Sequence, residues 1–157
     1  IEVGYGNVDK ISIGGKLPLV FIGGPCAIES RDHTIMMAEK IKSICEKVGI
    51  NFIFKACYDK DCRSSSQSFH GVGIEEGLNI LSEIRNTFNV PVVSDFSDAS
   101  WANATGEVCD LVQIPAYLCR QTSILKAAAS SKELKSIMSS ISILMSKASS
   151  SSAIKPI

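Results

Sequence analysis

Four times between residues 17 and 129, a short apolar run gives way to a longer stretch with helical spacing. This alternation constrains the fold more than any other feature of the chain. The runs are Leu19–Ile22, Asn51–Phe54, Val90–Ser94 and Leu111–Ile114, and the stretches after them are Asp32–Val48, Ile74–Phe88, Asp98–Glu107 and a helix beginning at Arg120–Ala129. Runs that are apolar throughout, rather than alternating, suit strands buried on both faces, as in a parallel sheet. Strand and helix in regular succession predict an α/β fold with right-handed crossovers. In such folds, closed barrels and open doubly wound sheets alike, ligands bind at the carboxyl ends of the strands. Here those ends carry Gly23-Gly24-Pro25-Cys26, Lys55, Asp95 and Gln113. Ahead of the first run, Glu2–Ile13 alternates around glycine turns and predicts a small hairpin covering the opposite end.

The composition is globular, with 45% hydrophobic and 20% charged residues and a mean hydropathy of +0.19. Sixteen basic residues balance sixteen acidic ones, which argues against nucleic-acid binding or an anionic membrane surface driven by bulk charge. The balance is uneven along the chain: residues 1–122 carry a net −4 and residues 123–157 a net +4. Serine fills 11 of the 23 positions from 130 to 152, so the chain divides into a body, 1–129, and a Ser/Lys-rich tail, 130–157. Apolar residues at 134, 137, 138, 141, 145 and 148 recur every three or four positions and suggest a helix over 132–148; no fifth strand is legible there. The six cysteines form no Cys-x-x-Cys pair, and no apolar run approaches the ~20 residues needed to span a bilayer. Reduced thiols in a cytoplasmic protein without a leader are therefore expected.

The stretch Lys55-Ala-Cys-Tyr-Asp-Lys60-Asp-Cys-Arg63-Ser64-Ser65-Ser66 opens a long polar loop, residues 56–73, at the functional edge. Loops of that length are commonly functional. Two point charges, a guanidinium fork and small hydroxyls are the components of a phosphate cradle, against the plainer reading of a solvated loop. Cys26 could be a nucleophile, a metal ligand or a packed turn residue, since a metal needs further ligands. Asp95 could act as a base, a metal contact or a hydroxyl contact, or could cap the helix that follows. His70 could serve acid–base chemistry or loop packing.

Several of these segments resemble one family. Gly23-Gly24-Pro25-Cys26-Ala27-Ile28-Glu29-Ser30 is similar to its first-strand motif. Phe54-Lys55-Ala56-Cys57-Tyr58-Asp59-Lys60, then Arg63-Ser64-Ser65 and Ser68-Phe69-His70-Gly71-Val72-Gly73, are similar to its second. Gln113-Ile114-Pro115-Ala116-Tyr117-Leu118-Cys119-Arg120-Gln121-Thr122 is similar to its fourth. The family is 3-deoxy-D-manno-octulosonate 8-phosphate (KDO 8-phosphate) synthase, related to the DAHP synthases, and the resemblance runs from about residue 11 to 129.

The resemblance implies a (β/α)8 barrel with an N-terminal hairpin, of which this chain holds the first four βα units. It implies a transferase that condenses phosphoenolpyruvate with arabinose 5-phosphate and releases inorganic phosphate, in a homo-oligomer. By motif position, Lys55, Lys60 and Gln113 would contact phosphoenolpyruvate, and Arg63 and Ser64 the sugar phosphate. Arg120 would reach a phosphate across a subunit boundary, Pro115 and Ala116 would line the pocket, and Asp95 would face the sugar or the metal end. Cys26 matches the branch that uses a divalent metal such as Zn, Fe or Mn. The chain departs from the family pattern at Cys57 (Ser in the family), Asp61 (Ala), Cys62 (Asn), His70 (Arg) and Ser97 (His). Its 157 residues are about half of the ~250 usual for an eight-unit barrel. Two other readings stay open: a truncated or degenerate half-barrel that binds phosphosugars or only associates with itself, and a DAHP synthase acting on erythrose 4-phosphate, which the Gln113–Thr122 motif disfavours.

Overall fold

A computed structural model describes residues 1–61, 65 and 67–131, and the backbone of 137–139. Its elements follow the alternation read above: β1 (Glu2–Val3), β2 (Ile11–Ser12), β3 (Val20–Gly23), α1 (Arg31–Val48), β4 (Asn51–Lys55), α2 (Ile74–Phe88), β5 (Val92–Asp95), α3 (Ala102–Val108), β6 (Leu111–Ile114), α4 (Thr122–Ser130) and β7 (Ile137–Ser139). The weak helix expected from Asp98 divides in two: a 3-10 turn at Ala99–Trp101, capped by the Asp98 side chain on the Ser100 amide at 2.8 Å, and then α3.

The five strands β3 to β7 are parallel and lie in strict sequence order. A doubly wound sheet reverses its order at a switch point. An unreversed order with right-handed crossovers puts every helix on the same side. The packing agrees. Phe52 and Phe54 of β4, Val92 of β5, and Val112 and Ile114 of β6 share a core with residues of α1, α2, α3 and α4. The other face carries Val20, Ile22, Ile53, Val93 and Leu111, and these pack against Val3, Ile11 and Ile13 of the antiparallel β1–β2 pair. The expected hairpin is thus present, and it covers the helix-free face.

It is tied to the amino end of the sheet. Asp110, just before β6 and fully buried, accepts from Arg85 Nε (2.9 Å) and Nη2 (3.0 Å), from the Val92 amide (2.9 Å) and from the Tyr5 amide (3.2 Å). The Arg85 guanidinium also donates to the Tyr5 carbonyl and lies 4.2 Å from the centre of its ring.

Helix α1 starts where Ser30 Oγ accepts from the His33 amide and stops at Gly49, whose φ of 69° is the left-handed cap conformation. Ala38 and Cys45 are buried in the core, with Ile35 and Ile41 packed against it, but Ile44 and Val48 are more than half exposed. Leu19 (83% exposed) and Phe21 (47%) lie at the β3 edge of the sheet. Among the described residues no strand pairs with the outer edge of β3.

Two expectations for the tail are corrected. A fifth strand, β7, pairs with β6 in the register Val112↔Ile137, Gln113↔Met138 and Ile114↔Ser139, and this strand occupies residues assigned above to a helix over 132–148. Helical spacing is a local signal. It does not register that the free edge of β6 offers a row of backbone partners, which a short segment rich in β-branched and apolar residues can take. The rest of 132–157 lies outside the described residues. No helix among the described residues is long and apolar enough to cross a membrane.

Candidate active site

Strand parity sets the site. The face that packs on the hairpin at the amino end carries Lys55, Asp95 and Gln113 at the carboxyl end, because each lies an even number of residues from Ile53, Val93 or Leu111. Asp95 and Gln113 are direct register partners.

The Gly-Gly-Pro-Cys turn is a consequence of unequal strand lengths. Gly23 pairs with Phe54, and the next bridge is Ala27 with Cys57, so three residues oppose two. The extra residue bulges outward and leaves Cys26 exposed. Gly24 permits the close approach: a Cβ there would stand 2.1 Å from the Lys55 carbonyl oxygen.

The loop after β4 doubles back on itself. The Lys60 amide donates to the His70 carbonyl (2.6 Å) and the Gly73 amide to the Tyr58 carbonyl (3.0 Å). Tyr58, with no exposure, anchors the loop in the helix layer through Thr105 Oγ1 (2.8 Å) and an edge-on contact with Trp101. This anchoring projects Lys60 over the sheet edge.

Lys60 lines a cavity of about 170 Å³ together with Asp59, Asp61, Asp95, Ser97, Gln113, Pro115, Ala116 and Tyr117. Five of the residues singled out from the sequence therefore meet around one space: Lys60, Asp95, Gln113, Pro115 and Ala116. Lys55 stands beside it. Its Nζ donates to Cys57 Sγ at 2.9 Å and lies 3.6 Å from Asp95 Oδ1, and Cys57 Sγ donates to that same oxygen. Burial works against the Lys55 ammonium, yet the combined pull of Cys57 and Asp95 outweighs it and leaves its pKa above the ordinary lysine value. A hydrogen bond to Cys26 raises that of Lys60, against partial burial. Burial, then the Asp95 charge, push the Cys57 thiol up to about 11.

Arg120 is exposed and does not line the cavity. Arg63 and Ser64 lie outside the described residues, as does Cys62. Sequence reasoning left Cys57 out of the site. The signal was available, because Cys57 is two residues beyond Lys55 and shares its side of the extended chain.

One group among the described residues could hold a metal ion: Asp59, Asp61 and His70 offer ligand atoms within 4.8 Å of one another. Burial and the neighbouring Asp61 charge raise the Asp59 pKa, and His70 works in the opposite direction. Two positions that depart from the family pattern, Asp61 and His70, thus meet in space. Cys26 belongs to no such group among the described residues.

The model of the DAHP synthetase I family matches residues 2–139, ending with β7. Over 123 residues the chain is 49% identical to a 2-dehydro-3-deoxyphosphooctonate aldolase of Rickettsia rickettsii and 48% identical to that of Rickettsia conorii, covering 78% of this chain and 45% of each relative. It is 46% identical over 121 residues to a protein of the same name from Synechococcus, covering 77% and 43%. The chain thus spans less than half the length of these relatives. With the family model matched along most of its length, the chain belongs to the DAHP synthetase I family.

Proposed function

We propose that this chain is the amino-terminal half of a cytoplasmic KDO 8-phosphate synthase. Its reaction joins C3 of phosphoenolpyruvate to the aldehyde carbon of arabinose 5-phosphate, takes up water and releases inorganic phosphate. The observation that carries the reading is the meeting of Lys60, Asp95, Gln113, Pro115 and Ala116 around one cavity at the carboxyl edge, in a chain 46–49% identical to proteins named for the aldolase.

In this reading Lys55, Lys60 and Gln113 hold phosphoenolpyruvate, and Arg63 and Ser64 hold the sugar phosphate. Fixed cations serve twice: they hold two anions together against their repulsion, and they meet the charge that develops on oxygen as the carbon–carbon bond forms. Asp95, partnered by Cys57 and Lys55, faces the sugar end. Pro115 and Ala116 shape the pocket, and Arg120 contributes across a subunit boundary in a homo-oligomer. The sheet is one wall of a (β/α)8 barrel whose remaining units close on the outer edges.

A divalent metal at Cys26, as the resemblance implies, does not find its ligand set among the described residues. Cys26 is exposed, accepts from Lys60 and supplies one ligand where Zn, Fe or Mn needs three or four.

The test is arabinose 5-phosphate-dependent release of phosphate from phosphoenolpyruvate, run with erythrose 4-phosphate as the competing aldehyde, with and without added divalent metal. Isothermal titration should also show Lys60→Ala weakening phosphoenolpyruvate binding by about 1–3 kcal/mol, the scale of a charged hydrogen bond. Folded protein that binds neither phosphoenolpyruvate nor arabinose 5-phosphate overturns the proposal. A second reading, a half-barrel that binds phosphosugars without turning them over, is favoured by the coverage of less than half of each relative; binding without phosphate release would select it.

A further inference from the structure

Lys55 and Asp95 form an ion pair without a direct hydrogen bond. At 3.6 Å they are within ion-pair range but beyond a direct hydrogen bond, whose donor–acceptor distance is about 2.7–3.2 Å. Both are largely buried, with side chains 18% and 15% exposed, so little water competes for either group. Cys57 Sγ stands against both, accepting from the ammonium and donating to the carboxylate.

The backbone that carries the thiol is fixed. Cys57 has no exposure, its backbone forms a parallel bridge with Ala27, and its carbonyl accepts from the Ile28 amide at 2.9 Å. We propose that Cys57 is a positioning residue whose thiol keeps the Lys55 ammonium from closing onto Asp95. The remaining N–H donors of Lys55 thereby stay available to an anion at the sheet edge. This last clause rests on the function proposed above; the spacer role itself does not.

Chemistry favours a thiol in this place. A neutral thiol can accept from an ammonium and donate to a carboxylate at once, whereas a thiolate has no proton to donate and an alanine does neither. Removing Sγ would leave a small gap, and the ammonium need move less than about 1 Å to bond the carboxylate directly. A lysine closed in that way has its charge matched and its donors occupied.

The experiment is trace acetylation of the whole chain with an amine-acylating reagent, read at Lys55 by peptide mass spectrometry, with exposed Lys10 as internal standard. Labelling of Lys55 should fall at least threefold in Cys57→Ala and stay within twofold of wild type in Cys57→Ser, whereas Cys57→Ala/Asp95→Asn should label within twofold of Asp95→Asn alone. The Asp95→Asn background separates a spacer from a residue that merely fills the core, because a packing defect changes labelling whether or not the carboxylate is there. Unchanged labelling in Cys57→Ala, or a threefold fall on adding it to Asp95→Asn, overturns the proposal.

Cys57→Ser keeps the test decisive if Cys57→Ala fails to fold. Its hydroxyl also accepts from an ammonium and donates to a carboxylate, so labelling within twofold of wild type is expected, and a threefold fall overturns the proposal. Titration with phosphoenolpyruvate should follow the same order, weakening at least fivefold in Cys57→Ala and staying within twofold of Asp95→Asn alone in the double variant. Wild-type protein that does not bind phosphoenolpyruvate overturns the anion-site reading, while the labelling pattern still decides the role of Cys57.

Discussion

Asp110 collects four hydrogen bonds from three separate parts of the chain. Its partner Arg85 sits on the buried face of α2, where the spacing of Leu78, Leu81 and Ile84 reads simply as an apolar stripe. Truncating Arg85 to alanine strands a buried carboxylate, and breaking such a pair costs about 3–5 kcal/mol, far above an exposed ion pair. The expected outcome is a fall of that size in unfolding free energy from urea titration at neutral pH. Cys57 makes a second prediction, with a sign fixed by its shifted ionisation. Its pKa rises from 9.0 in the reference state to about 11 in the fold, so its contribution to stability is whole below pH 9 and is lost as pH climbs through 11. Between pH 8 and pH 11, wild type should lose about 2 kcal/mol more stability than Cys57→Ser, with the other titrating groups cancelling in the difference. Equal losses in the two proteins would refute the shift.

At the scale of elements, the strands and helices that carry the site were legible, and the reason is physical. Each is a buried apolar run or an amphipathic period, and both signals survive without tertiary context. The shared face of Lys55, Asp95 and Gln113 was not, because it needs the register between strands. Three further things were not legible. The β7 pairing depends on a free edge supplied by β6, which no window of local sequence contains. The Cys57 bridge depends on the register between β4 and β5, which brings Asp95 beside it. The return of the loop to Tyr58 depends on Gly71, where φ is +133° and a Cβ would meet the Tyr58 carbonyl oxygen at 2.2 Å. Gly71→Ala must therefore both strain the backbone and push the two arms of the loop apart. It should cost about 2 kcal/mol or more by thermal denaturation, and, on the function proposed above, it should also weaken phosphoenolpyruvate binding through Lys60. An unchanged midpoint would show that the loop relaxes freely.

For the whole molecule, the controlling fact is that, among the described residues, the β3 edge of the sheet is unpaired. Strand β4 is buried at Phe52, Ile53 and Phe54, whereas β3 leaves Phe21 half exposed beside open Leu19, with Ile44 and Val48 on the adjoining helix. An apolar strand edge of this kind is a template for pairing with another chain. The isolated chain should associate as its concentration rises, by sedimentation velocity, and Leu19→Lys/Phe21→Lys should shift it toward monomer with little loss of helix content. A wild-type chain monomeric at all concentrations would contradict this. The hairpin has a different consequence, one for the order of events. The Tyr5–Asp110 hydrogen bond joins residues 105 positions apart, and the Arg85 contacts with Tyr5 span 80. Contacts this distant in sequence carry the greatest loop-closure entropy. The hairpin is synthesised before the elements it docks on, and it has nowhere to dock until α2 and the start of β6 have assembled. A segment made ahead of its docking surface is thus among the last to be secured, and the helix-free face stays bare to solvent while the sheet is built.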